Sequence, residues 1–74
     1  MIIELKSPNE FQKTLILKGF SQRSFAKSLG FSAPYVSQII SKRRNPSSAA
    51  ARKITELLGV EFDEIFFIKD VRKS

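Results

Sequence analysis

Seventy-four residues carry 13 basic and 7 acidic side chains, a net charge of +6, and no cysteine or histidine. That length fits one domain, residues 1–74, with a modest core. Without cysteine or histidine there is no disulfide, no thiolate or imidazole metal site and no Ser/His or Cys/His nucleophile, and the seven acids form no set expected to act together. The expectation is a protein that is not an enzyme and uses no metal or cofactor. No apolar run is long enough to span a bilayer, and Met1-Ile2-Ile3 lacks the charged start of a signal peptide, so a cytoplasmic protein without a membrane role is expected.

Residues 1–6 alternate Ile3 and Leu5 with Glu4 and Lys6, the pattern of a short strand over 2–6. Ser7-Pro8-Asn9-Glu10 then starts a helix: Ser7 caps, Pro8 suits the first helical position, and Glu10 completes a capping box. This first helix runs to about Lys18 and stops at Gly19, with Phe11 and Leu15 on one face and Ile16 or Leu17 left exposed or touching a neighbour. Ser21 caps a second helix, Gln22 to Leu29, whose Phe25 and Leu29 face inward with the small Ala26 beside them. Gly30 ends it in the left-handed conformation that glycine adopts at least cost, and Phe31 follows as a core plug. Ser32 caps a third helix with Pro34 in its first turn. Val36, Ile39 and Ile40 form its inward stripe, while Pro34, Ser37, Gln38 and Ser41 form an outward stripe flanked by Ala33 and Tyr35. That outward face carries no charge, which is unusual for a helix that meets only solvent.

Lys42-Arg43-Arg44-Asn45-Pro46 reads as a basic loop. Asn45 or Ser47 caps a fourth helix running to about Leu58, with Ala50, Ile54, Leu57 and Leu58 as its core stripe and Gly59 as its stop. A short fifth helix near Phe62 to Phe66 places Asp63 and Glu64 at its positive end. Phe67 to Val71 suits a strand over 67–71 whose natural partner is the N-terminal one. The charge is uneven along this layout. From Phe11 to Thr55 there are nine bases and no acid; the remainder holds four bases and seven acids. A basic body on a small domain is the footprint of nucleic-acid binding.

These residues resemble the Cro and phage-repressor type of helix-turn-helix, the XRE family with a lambda-repressor-like fold. The resemblance covers Asn9 to Phe66. Counting from Gln22, the family's apolar positions fall on Phe25, Leu29, Phe31, Val36 and Ile39, its small residue on Ala26 and its turn glycine on Gly30. A proline-started fourth helix is matched by Asn45-Pro46-Ser47, and the closing pattern by Leu58-Gly59-Val60 and Asp63-Glu64-Ile65-Phe66. The implied fold is all-α: a compact five-helix bundle, its core over 7–66, with a small β-ribbon formed by the two termini. Leu15 and Ile40 stand where the family often has an Arg–Glu pair, and a packed apolar contact is expected in its place. Lys42 stands where a glycine is frequent, so the loop after the third helix is expected to differ in shape.

The resemblance also implies how a site would work. The third helix enters the major groove, with Ala33, Pro34 and Gln38 first in reach of base edges. Gln38 offers an amide able to pair with adenine, and Ala33 and Pro34 read a thymine methyl by shape. Tyr35 meets a base or a phosphate, or covers the edge of the core. Gln22, Ser21, Ser37, Lys42, Arg43, Arg44 and Ser47 are candidate contacts to the DNA backbone. The implied protein is a nucleoid-associated transcriptional regulator, a repressor of phage or mobile-element type, that binds a palindromic operator as a homodimer. Dimerisation is expected through the apolar termini: Ile2, Ile3, Leu5, Phe62, Phe66, Phe67 and Ile68. The alternative is the antitoxin of a toxin–antitoxin pair, autoregulating through the same domain. No small-molecule ligand is evident.

Overall fold

Three of the five helices stop at a glycine, and the chain turns each time with the same backbone motif. The computed structural model describes residues 2–70. In chain order these form β1 (Ile2–Leu5), α1 (Pro8–Leu17), α2 (Gln22–Leu29), α3 (Ala33–Ile40), α4 (Ser48–Leu58), α5 (Phe62–Ile65) and β2 (Phe66–Lys69). After α2, Gly30 takes φ +78°, its N–H donates to the Lys27 carbonyl at 3.1 Å, and the Phe31 N–H reaches back to the Ala26 carbonyl at 2.9 Å. Those bonds satisfy carbonyls that the helix end would leave bare. The turn then delivers Ser32, whose hydroxyl accepts from the Tyr35 N–H at 3.2 Å and starts α3.

The helix after Gly30 ends with the same motif but without a glycine. Lys42 sits at φ +65°, its N–H donates to the Ile39 carbonyl at 3.1 Å, and the Arg43 N–H donates to the Gln38 carbonyl at 2.9 Å. The expectation that this loop would differ in shape is therefore corrected. Lysine keeps the left-handed turn at a conformational cost that glycine would not incur.

β1 and β2 pair antiparallel, with Leu5 opposite Phe66 and Ile3 opposite Ile68. The strands cover 2–5 and 66–69, shifted by a residue or so from the expected 2–6 and 67–71 because Phe66 leaves the helix to take an extended backbone. Val71 lies outside the described residues. Coverage by the helices then decides the fate of the apolar termini. Leu5 and Phe66 face inward and are buried, as Phe62 is in part. Leu5 and Phe66 are thus not available to a dimer surface, a correction to the sequence expectation that follows from their packing into the core cluster. Ile68, 57% exposed, and Phe67, 37%, remain outside.

One core cluster joins every element. It includes Leu5, Phe11, Leu15, Phe25, Ala26, Leu29, Val36, Ile39, Ile40, Ile54, Leu58 and Phe66. Leu15 and Ile40 are both buried in it. A chain of rings runs through its middle. Phe20 meets Phe25 at 5.3 Å, Phe25 meets Phe11 edge-on at 6.0 Å, Phe11 meets Phe66 at 6.5 Å, and Phe66 meets Phe62 at 5.5 Å. This aromatic line ties α2 to the terminal sheet.

Three further local expectations need correction. Only Ser7's half of the capping box on α1 forms; the Glu10 carboxylate instead lies 3.6 Å from Lys13 Nζ. A reciprocal box forms on α2, where Ser21 and Ser24 bond each other's backbone N–H at 3.1 and 2.9 Å. Of the two expected caps it is Ser47 that caps α4, and Pro46 is buried ahead of the cap, so proline does not start that helix. Leu57 is 38% exposed, and the buried side of α4 is Ala50, Ala51, Ile54, Thr55 and Leu58. Thr55 tolerates burial because its hydroxyl donates to the Arg52 carbonyl at 3.0 Å.

Candidate nucleic-acid interface

The outward side of α3 is built from the inside out. Val36, Ile39 and Ile40 are buried, so rotation of the helix about its axis is set by the core. Pro34, Ser37 and Gln38 are consequently exposed, and Ala33 and Tyr35 are partly so. All of the expected base-reading positions thus lie on the surface side of one helix. Tyr35 does not stand free. Its ring packs edge-on against Phe31 at 5.2 Å, and the Arg44 guanidinium lies 5.5 Å from its centroid. Covering the core edge and presenting a polar hydroxyl are compatible roles for one such ring.

Gln38 is the hub of the loop that follows. Its carbonyl accepts from the backbone N–H groups of Arg43 and Arg44 and from the Ser41 hydroxyl. Its side-chain Oε1 accepts from Arg44 Nε at 3.1 Å. The basic loop is therefore folded against the polar face of α3 and does not trail into solvent.

The other candidate backbone contacts fall into four groups. Ser21 and Ser47 spend their hydroxyls as caps of α2 and α4, accepting at 3.1 Å from Ser24 and Ala50 N–H. Each still has hydrogen-bonding capacity for a phosphate. Gln22 is exposed at the first position of α2, beside a recess formed with Gln12, Ile16 and Phe20. Ser37, Arg43 and Arg44 are exposed on or just after α3. Lys42 differs: its Nζ lies 3.8 Å from Glu4, whose other oxygen is 4.0 Å from Lys69. The fold thus directs Lys42 toward β1 and away from the polar face, an arrangement that no local sequence signal announced.

Lys53 is a cation that sequence reasoning assigned no role. It projects from α4 to within 5.6 Å of the Phe31 ring and lines a groove with Tyr35, Ser47 and Ala49. This groove opens beside the N-terminal half of α3. The only prior signal was Lys53's membership of the acid-free stretch. Among the described residues, ion pairs engage Lys13, Lys42, Arg52 and Lys69; Arg43, Arg44 and Lys53 are among the bases left without a carboxylate partner.

A family model described as helix-turn-helix matches residues 12–65, most of the chain. The chain belongs to the XRE-type helix-turn-helix family. It is 37% identical over 49 residues, 66% of its own length and 71% of the relative's, to the uncharacterized HTH-type transcriptional regulator YazB of Bacillus subtilis (strain 168). Its fold matches a crystal structure of a proposed DNA-binding protein from Bacteroides fragilis with a TM-score of 0.71 at 23% identity. That match covers 89% of this chain and 100% of the other. In this helix-turn-helix protein the two motif helices are α2 and α3, and Gly30 is the turn between them. Among the described residues no helix is long and apolar enough to cross a membrane, and no cluster of acids could hold a metal ion.

Proposed function

We propose that this helix-turn-helix protein is a sequence-specific transcriptional regulator of double-stranded DNA, acting as a repressor of phage or mobile-element type. The carrying observation is the uncharged outward face of α3, locked by a buried opposite face and flanked by an acid-free basic loop. Family membership supports a DNA-binding regulator and not a catalyst. Ala33, Pro34, Tyr35 and Gln38 read base edges in the major groove. Gln22, Ser21, Ser37, Arg43 and Ser47 hold the phosphate backbone, and Lys53 joins them. Lys42 reaches a phosphate only after leaving Glu4, so it is the weakest of these contacts.

One such helix reads too few base pairs to be selective, so a two-fold dimer on a palindromic operator is part of the proposal. The exposed Phe67 and Ile68, with the partly buried Ile2 and Ile3 beside them, supply its surface. The whole chain, 1–74, acts as a single domain in this scheme.

Selection of bound sites from random duplex DNA tests the reading. Two inverted half-sites about one helical turn apart are expected. Equal affinity for specific and random duplexes would overturn it. Co-purification of a stoichiometric small protein partner from the native host would instead favour the antitoxin reading.

A further inference from the structure

Arg44 lies outside the helix-turn-helix, in the loop that follows α3, where a flexible cation usually does no more than neutralise a phosphate. Its placement here is too restrained for that role. Its backbone N–H is bonded to the Gln38 carbonyl at 3.2 Å, and its Nε to Gln38 Oε1 at 3.1 Å. Its guanidinium carbon lies 5.5 Å from the Tyr35 ring centroid. Tyr35 and Gln38 are three residues apart on α3, so the arginine is laid back across the outward face of that helix. No carboxylate among the described residues pairs with it.

The hydrogen-bond inventory shows what this leaves for a ligand. The bond to Gln38 uses Nε–H; the two terminal guanidinium nitrogens keep four donors in a planar fork. Gln38 Oε1 retains its second lone pair, and its amide nitrogen retains both hydrogens. Gln38 can therefore still pair with an adenine. The arginine beside it offers only donors, and the major-groove edge that presents two adjacent acceptors is guanine, through O6 and N7.

We propose that Arg44 is a specificity-determining residue that reads a guanine in the major groove, at the base pair next to the one read by Gln38. Gln38 and Tyr35 hold its fork on the face of α3. This rests on the reading of α3 as the groove-binding helix. It changes the expected code, because the residues of α3 itself would contact only adenine and thymine. A loop arginine folded onto the helix adds the guanine that they lack.

The test compares sites selected from random duplex DNA by the full chain, by Arg44→Ala and by Arg43→Ala. Arg44 is exposed, and unchanged far-UV circular dichroism and melting temperature would establish that each variant is folded. The wild type should select a guanine beside the Gln38-dependent position. Arg44→Ala should lose that preference alone, by roughly 5- to 150-fold against other bases. Replacing the guanine by 7-deazaguanine should weaken wild type and leave Arg44→Ala unaffected. Arg43→Ala should keep the guanine preference while weakening all sites. If Arg44→Ala weakens every site equally, or retains the guanine, Arg44 is a phosphate contact and the inference falls while the function stands. If the wild type selects no sequence at all, the DNA-reading function falls and the inference with it.

Discussion

Gln38 concentrates more interactions than any other residue of the outward face. Its main chain anchors the basic loop and its side chain holds Arg44. On the proposed reading, Gln38→Ala costs roughly 1–3 kcal/mol of binding and relaxes preference at one base step, and it loosens the adjacent step through Arg44. Arg43→Ala should behave otherwise. It should weaken specific and random DNA alike and lower the slope of log K against log salt by about 0.9, the share of one neutralised phosphate. Gel-shift titrations at several salt concentrations check both. Two variants with the same profile would show that the roles are misassigned.

The helix ends make a paired prediction at the scale of elements. Gly30 and Lys42 occupy the same left-handed position after successive helices, at φ +78° and +65°. Nothing lies within 4 Å of a Cβ built on Gly30, so Gly30→Ala should incur only the backbone penalty of about 1–2 kcal/mol. Lys42→Gly should act in the opposite sense. Relief of that penalty, offset by glycine's greater freedom in the unfolded chain, should stabilise by about 0.5–1 kcal/mol. The lost ion pair with Glu4 is partly exposed and contributes little to the balance. Urea unfolding of the two variants measures both changes, and a destabilised Lys42→Gly protein would mean that Lys42 is held by more than its turn.

For the molecule as a whole, stability rests on the ring line from Phe20 to Phe62, with Phe11 at its middle, 2% exposed. Phe11→Ala should cost about 3–5 kcal/mol, a large part of what a domain this small possesses. Loss of the cooperative thermal transition followed by circular dichroism is the expected result. Ile68 is the reverse case. Its exposure predicts that Ile68→Asp leaves the fold intact, and on the dimer proposal it shifts the chain to monomer in sedimentation at micromolar concentration. An unchanged sedimentation coefficient would remove the sheet from the dimer surface.

Much of this architecture was legible in the residues alone. Caps and stops are local: Ser7, Ser21 and Ser32 start helices, and Gly19, Gly30 and Gly59 end them, through bonds reaching at most five residues along the chain. The 3.6-residue stripe likewise set which face of α3 turns inward, and with it the candidate base-reading face. Tertiary structure decided what depends on neighbours distant in sequence. Packing against the helices buried Phe66, while Ile68, on the same face of β2, stays 57% exposed, which redrew the dimer surface. Glu4 drew Lys42 away, and Phe31 brought Lys53 beside α3. Arg44 folded back onto Gln38 and Tyr35, although residue spacing alone left it a phosphate contact. Helix periodicity and capping depend on contacts one turn apart, which a sequence displays directly. The direction of a long cationic side chain depends on which partners the packed chain brings within reach, and only the folded molecule sets that.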